Sequence, residues 1–230
     1  MDRQPEMTVI TRDGVVVNAA SASASAERVL RNTYLLLSAT LLFSAACAGT
    51  AMALALPYPG ILLTIVGYYG LLFAIEKFKT SAWSVALVFA LTGFMGYTLG
   101  PILSHYIKAV PNGGSVIMTS LAVTGGAFLA LSAYAVTTRR RFTFMASFLV
   151  VGTITAFLLG LVAIFFHLSG LSLAVAGLFT LLSSGIILWE TGEIVNGGET
   201  NYVLATVTLY VSIYNLFVSL LQLLGFASRD

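Results

Sequence analysis

The chain has 230 residues, of which 58% are hydrophobic and only 9% are charged, and its mean hydropathy is +0.96. Because a soluble domain of this length needs far more polar surface, the composition excludes a soluble protein and favours a membrane protein. The formal net charge of +2 is too small to indicate a nucleic-acid partner.

The first 26 residues differ in composition from the rest of the chain. Alanine and serine alternate from Ala19 to Ala26 without an apolar face to bury, which is typical of a flexible linker. Acidic residues interrupt this region, so it does not resemble a signal peptide. We expect a flexible cytoplasmic tail at residues 1–26 and a membrane domain at residues 27–230. The tail is either a solvated end without a function or a segment that an unfoldase can grip.

Apolar runs recur from residue 32 to the C-terminus, and runs of this length can cross a bilayer as helices. They predict an all-α integral membrane protein with seven transmembrane helices. The expected spans are 32–56, 60–75, 83–104, 116–136, 143–166, 171–190 and 203–226.

Basic residues cluster on alternate connections between these runs, where they act as topology anchors. The positive-inside rule therefore places the N-terminus in the cytoplasm and the C-terminus on the far side. The connection from residue 190 to residue 202 fits less well, because it has three glutamates and no lysine or arginine, but carboxylates count little for orientation. The anchors are Arg28, Arg31, Lys77, Lys79, Arg139, Arg140 and Arg141.

Small residues are spaced for close helix packing in two of the runs. Gly96 and Gly100 lie four residues apart in the third run, and Gly152, Ala156 and Gly160 form a similar stripe in the fifth. Both patterns favour helix contacts and say little about function.

No motif predicts an enzyme, a cofactor or a metal site. The single cysteine, Cys47, excludes a disulfide framework and is expected to be a small buried hydrophobe. His105 and His167 fall at far-side helix ends without a neighbouring carboxylate or thiol, so we interpret them as interfacial residues. Ser183 and Ser184 are interpreted as packing residues rather than nucleophiles.

The last run carries polar residues along one helical face. Their spacing of four, three, four and three residues places them on one side for roughly 21 Å. Lipid offers such groups no hydrogen-bond partner, so we expect the seventh helix to be enclosed by the other six. We call this set the polar edge: Thr208, Ser212, Asn215, Ser219 and Gln222.

Glu190 closes the sixth run and is the candidate pH-sensing group. If the helix continues past it, Glu190 lies inside the headgroup level, where loss of hydration favours the protonated carboxyl. It can then face Ser212 across a short wet cavity, as a proton-sensitive gate or a weak cation site. The alternative is that Glu190 reaches the interface and the polar edge only joins helix to helix.

The run ETGEIVNGGETNYVLATVTLYVSIYNLFVSLLQLLGFASRD, at residues 190–230, resembles the C-terminal signature of the Bax inhibitor-1 family, also called the transmembrane BAX inhibitor motif family. The resemblance continues upstream through RVLRNTYLLLS, ALTGFMGYTLGPIL and LSAYAVTTRR. It implies a seven-helix fold with an enclosed last helix, in the bacterial inner membrane. It implies two functions: regulation of the membrane protease FtsH, which grips a cytoplasmic tail, or a pH-sensitive calcium leak.

The family's leak is gated by two aspartates, on helices six and seven. The first corresponds to Glu190, which keeps the carboxylate, and the second to Ser212 in LYVS, which does not. Two carboxylates can share a proton and set a sharp pH threshold, whereas one carboxylate and a hydroxyl cannot. The resemblance therefore favours the regulator, with a calcium or proton path as the alternative.

Overall fold

The structure is a computed structural model that describes residues 9–12, 15–140 and 142–228. In this part of the chain two short antiparallel strands precede seven helices, and all seven helices are long and apolar enough to cross a membrane. The predicted seven-helix membrane fold is thus confirmed. The elements are β1 (Val9–Arg12), β2 (Val15–Asn18), α1 (Ala19–Ala53), α2 (Ile61–Phe78), α3 (Trp83–Ala109), α4 (Gly113–Thr138), α5 (Thr143–Phe165), α6 (Ser169–Val195) and α7 (Tyr202–Ala227).

The N-terminal region is more regular than the sequence analysis expected. The β-branched residues of β1 and β2 favour strands, and α1 already begins at Ala19. Alanine is the best helix former, so an Ala/Ser repeat can extend a helix that is anchored further along, even without an apolar face. Residues 1–8, 13 and 14 of the expected tail lie outside the described residues. The division into a flexible tail and a membrane domain stays a prediction.

The sixth helix passes the acidic residue at which its apolar run ends. It continues to Val195 and stops before Gly197, whose φ of 72° is a left-handed conformation that suits glycine. The Gly198 amide then donates to the carbonyl of Glu193 at 2.8 Å, which closes the helix end. Glu190 therefore lies within α6 rather than at its end.

The last helix is the most buried of the seven. In its most apolar window 61% of the residues are buried, against 6–39% in the other six helices. It packs mainly against α1, α3, α4 and α6. Of the six helices expected to enclose α7, α2 and α5 contact it least and border clefts beside it, because most of their apolar side chains face outward to where lipid would lie.

Glycines of α3 allow a close contact with α1. A Cβ added at Gly96 would meet the Ser44 carbonyl oxygen of α1, and one at Gly100 would meet Ala51 and the Ala48 carbonyl oxygen. The predicted small-residue contact is therefore confirmed, with α1 as its partner. The α5 stripe contacts α6 in a similar way, since a Cβ at Gly152 would meet Leu182.

This contact yields a stability prediction. We expect Gly96→Ala to lower the stability of the bundle by about 1–3 kcal/mol, because the backbone oxygen of α1 cannot move aside without separating the helices. The control is Gly125→Ala on α4, where an added Cβ has no neighbour within 4 Å. Thermal unfolding of the purified protein in detergent measures both changes. Equal unfolding temperatures for the two variants would contradict the close α1–α3 contact.

Candidate functional site

The predicted topology anchors that the structure describes lie at one end of the bundle. We call this end, which holds the start of α1 and the α2–α3, α4–α5 and α6–α7 connections, the basic face, and the other end the opposite face. Lys79 forms an ion pair with Glu76 at 2.6 Å and is half-buried, and Arg141 lies outside the described residues. Which face meets the cytoplasm stays a prediction. The remaining anchors are exposed: Arg28, Arg31, Lys77, Arg139 and Arg140.

Glu190 is buried inside the bundle near the basic face. It lies five residues before the end of α6, which corresponds to a depth of about 7 Å. Only 4% of its surface is exposed, and its Oε1 has no hydrogen-bond partner among the described residues. A buried carboxyl oxygen without a partner is costly, so it marks a place where a proton or another group is needed.

The polar edge of α7 points into the protein along its whole length. Ser212 and Ser219 are buried, with 2% and 6% of their surface exposed. The other three members are half-buried, and none is exposed. The Ser212 hydroxyl donates to the Thr208 carbonyl at 2.8 Å, so its own helix satisfies it. The structure thus keeps these five side chains out of full contact with lipid.

Glu190 and Ser212 are not joined by a hydrogen bond within the described ranges. Ser212 lies ten residues into α7, about 15 Å from the basic face, which is about 7 Å deeper than Glu190. Neither residue lines the two clefts that border the rest of the polar edge. A gate formed by these two side chains stays a prediction.

Two neighbouring clefts, which share lining residues, border the other part of the polar edge. The outer cleft has a volume of about 400 Å³ and lies near the opposite face, between α2, α5, α6 and α7. Asn215, Ser219 and Gln222 of the polar edge line it. The inner cleft, of about 240 Å³, lies deeper and shares Asn215 with the outer cleft. Thr153 of α5 lines the inner cleft, and its hydroxyl is buried without a partner in the described chain.

This arrangement suits water better than a tightly held metal ion. A single water needs only about 10–15 Å³ of probe volume and two to four polar partners, so both clefts have room for several molecules. A calcium site uses six to eight oxygen ligands, usually including carboxylates. The residues that line the two clefts include no aspartate or glutamate, so they offer only neutral oxygen ligands.

Tyr210 joins three helices at the centre of the bundle, and the sequence analysis did not single it out. Its hydroxyl shares a hydrogen bond of 2.6 Å with the Ser44 hydroxyl of α1 and donates to the Thr92 carbonyl of α3 at 3.3 Å. Only 1% of Tyr210 is exposed. An aromatic hydroxyl in the middle of a predicted span needs a partner, and this was the signal that could have identified it.

The α6–α7 connection ties the loops of the basic face together. Asn201 caps α7 by accepting from the amides of Val203 and Leu204, and its side-chain amide donates to the Lys79 carbonyl at 3.0 Å. Asn196 donates to the Arg140 carbonyl at 3.3 Å. The asparagines of the NGGETN segment therefore connect this loop to both basic loops.

The two histidines lie on the surface, where the sequence analysis placed them. His105 and His167 are exposed near the opposite face, at the ends of α3 and α5. In the ranges described, no three histidine, cysteine or acidic residues lie close enough to hold a metal ion. Cys47 is half-buried on α1 and carries a free thiol.

A seven-helix bundle whose last helix is buried and bears a polar edge defines a multi-pass membrane protein. The family described as "Inhibitor of apoptosis-promoting Bax1" matches residues 26–229. The chain therefore belongs to the Bax inhibitor-1 family, and the resemblance seen in its C-terminal signature is confirmed.

Several bacterial proteins resemble the chain over nearly its whole length. The Escherichia coli K12 protein named "Modulator of FtsH protease YccA" is 52% identical over 207 residues, which cover 90% of this chain and 93% of that protein. An uncharacterized Pseudomonas aeruginosa protein is 48% identical over 213 residues, covering 93% and 96%. An uncharacterized membrane protein of Vibrio cholerae is 41% identical over 205 residues, covering 89% and 92%.

Proposed function

We propose that this chain is a multi-pass inner-membrane protein that binds the ATP-dependent protease FtsH and restrains its action on other membrane proteins. The observation that carries the proposal is the 52% identity, over 90% of the chain, to a protein named as a modulator of FtsH protease. A relative from a second Escherichia coli strain, at the same identity, is named an inner membrane protein. The proposed activity is regulatory rather than catalytic.

The bundle has the properties that a slowly degraded inhibitor needs. A protease that pulls on a membrane substrate must separate its helices, and here α1, α3 and α7 are joined by the Tyr210 hydroxyl. Each such hydrogen bond contributes about 1 kcal/mol, and separation in lipid would leave its groups without partners. The proposal is that FtsH grips the N-terminal tail and stalls at the bundle.

The tail can be tested by its effect on turnover. We expect deletion of residues 2–18, which leaves α1 intact, to lengthen the half-life several-fold in cells that contain FtsH, because the protease loses its initiating segment. A Gly/Ser segment of the same length is the matched control and should restore turnover. Half-lives are measured after translation is stopped, with and without FtsH.

Unchanged turnover of the deletion variant would contradict the role of the tail. If the full-length protein does not co-purify with FtsH from membranes, the regulatory proposal itself is contradicted. Co-purification therefore tests whether FtsH binds the protein, and the turnover of the deletion variant tests whether FtsH engages it through the tail.

A calcium or proton leak is the second candidate, and the unpartnered Oε1 of Glu190 favours it. The clefts at the other end of the polar edge offer room for water. A conducting path would have to join the clefts to Glu190 past Ser212 and Thr208, which are packed together here.

This candidate predicts a specific response to a second carboxylate. We expect Ser212→Asp to make calcium flux into dye-loaded liposomes depend more steeply on pH, because two buried carboxylates titrate as a coupled pair. Ser219→Asp, which places a carboxylate on the polar edge away from Glu190, is the control and should not do so. Glu190→Gln should remove the pH dependence. A wild-type flux equal to that of empty liposomes from acidic to neutral pH would contradict the leak.

A further inference from the structure

A groove between α1 and α4 opens at the basic face and shares no lining residue with the two clefts. Its volume is about 580 Å³. Glu27 and Arg31 of α1 line it together with apolar side chains such as Leu30 and Leu129. Leu129 is 67% exposed, so the wall is open to the surrounding lipid.

We propose that this groove binds a phospholipid whose headgroup carries both a phosphate and a primary ammonium, as phosphatidylethanolamine does. Arg31 binds the phosphate, Glu27 binds the ammonium, and the apolar walls hold the first part of an acyl chain. This inference is independent of the protease and of the leak.

The two charged side chains are free for a headgroup. Glu27 and Arg31 are four residues apart on one helix, which places them about 6 Å apart along its axis. A glutamate and an arginine at this spacing often pair, yet within the described residues neither forms an ion pair. A guanidinium is well suited to phosphate because it can donate two parallel hydrogen bonds.

Both charges lie at the depth of the headgroups. The part of α1 whose side chains the structure describes, Ser23–Ala53, has 31 residues and is about 46 Å long, whereas the hydrocarbon core is about 30 Å thick. About 20 helical residues span the hydrocarbon core, so if one boundary of the core lies at Ala53, the other lies close to Tyr34. Arg31 therefore lies at the boundary and Glu27 one turn outside it, as a phosphate and an amine require.

Two hydroxyls in the groove wall lack partners at the depth of the lipid esters. Tyr34 of α1 and Ser132 of α4 both line the groove, and the oxygen of each is buried without a hydrogen-bond partner in the part of the chain described. Only 5% of Ser132 is exposed. The ester carbonyls of a phospholipid lie just below its phosphate, and they accept hydrogen bonds. Both oxygens are closed to water here, so an ester carbonyl would accept from them only after the two side chains rotate toward the groove.

A phospholipid explains these features better than a protein segment. A partner helix could cover the apolar walls, but it would need a cation and an anion of its own at this depth to match Glu27 and Arg31. Each phosphatidylethanolamine molecule carries both charges on one headgroup. The apolar walls alone would not distinguish the two occupants.

Native mass spectrometry of the full-length protein in detergent tests the assignment. Phosphatidylethanolamine and phosphatidylglycerol with the same acyl chains are the probes, and we expect tighter binding of the first. Arg31→Gln should weaken both lipids roughly tenfold, as expected for loss of a charge-assisted contact. Glu27→Gln should weaken only phosphatidylethanolamine. Ala133→Phe, which fills the groove without changing any charge, should weaken both lipids.

Arg28→Gln is the matched control, because Arg28 is exposed one turn away and does not line the groove. If Arg28→Gln weakens binding as much as Arg31→Gln does, the lipids are held by general charge attraction and not by a specific site. Equal effects of Glu27→Gln on the two lipids would overturn the assignment of the headgroup. If neither lipid binds the wild type more tightly than it binds the Ala133→Phe variant, the groove does not bind a phospholipid, and a protein segment is the alternative occupant.

Discussion

The structure depends on one constraint: the polar groups of α7 must find hydrogen-bond partners away from lipid. Within the hydrocarbon core an unsatisfied polar group costs several kcal/mol, so a helix with five polar residues on one side cannot lie at the rim of the bundle. The other helices are arranged accordingly. Tyr210 bonds to α1 and α3, and Thr98 of α3 lies 3.4 Å from the Tyr214 hydroxyl.

The same constraint divides the molecule into two halves with different properties. Near the basic face the polar edge is packed, Ser212 is satisfied by its own helix, and Glu190 keeps an unpartnered oxygen. Near the opposite face α2 and α5 leave clefts beside Asn215 and Gln222. A closed half near the basic face, where the N-terminal segment joins α1, would suit the proposed resistance to extraction. A polar half with room for water is what the alternative proposal, a calcium or proton leak, would require.

Much of the fold follows from patterns along the chain, because hydrophobic length and helical spacing are local properties. The spacing of Thr208, Ser212 and Asn215 was enough to predict that α7 is sheltered. Local patterns predict less about the site, because its contacts join residues that are far apart in the sequence. The bond between Tyr210 and Ser44 joins residues 166 positions apart, and no local pattern specifies that contact. Nor does sequence spacing reveal that α2 and α5 stand apart from α7.

Labelling of the wild-type protein from within the bilayer tests the sheltered position of α7 most directly. A lipid analogue that releases a carbene in the hydrocarbon region modifies whichever side chains it touches, and mass spectrometry locates them. The account predicts modification of α2 at residues such as Leu62 and Phe73, which are 74% and 71% exposed, and none between Thr206 and Ser212. Modification of Tyr210 or Ser212 to the same extent as α2 would contradict it.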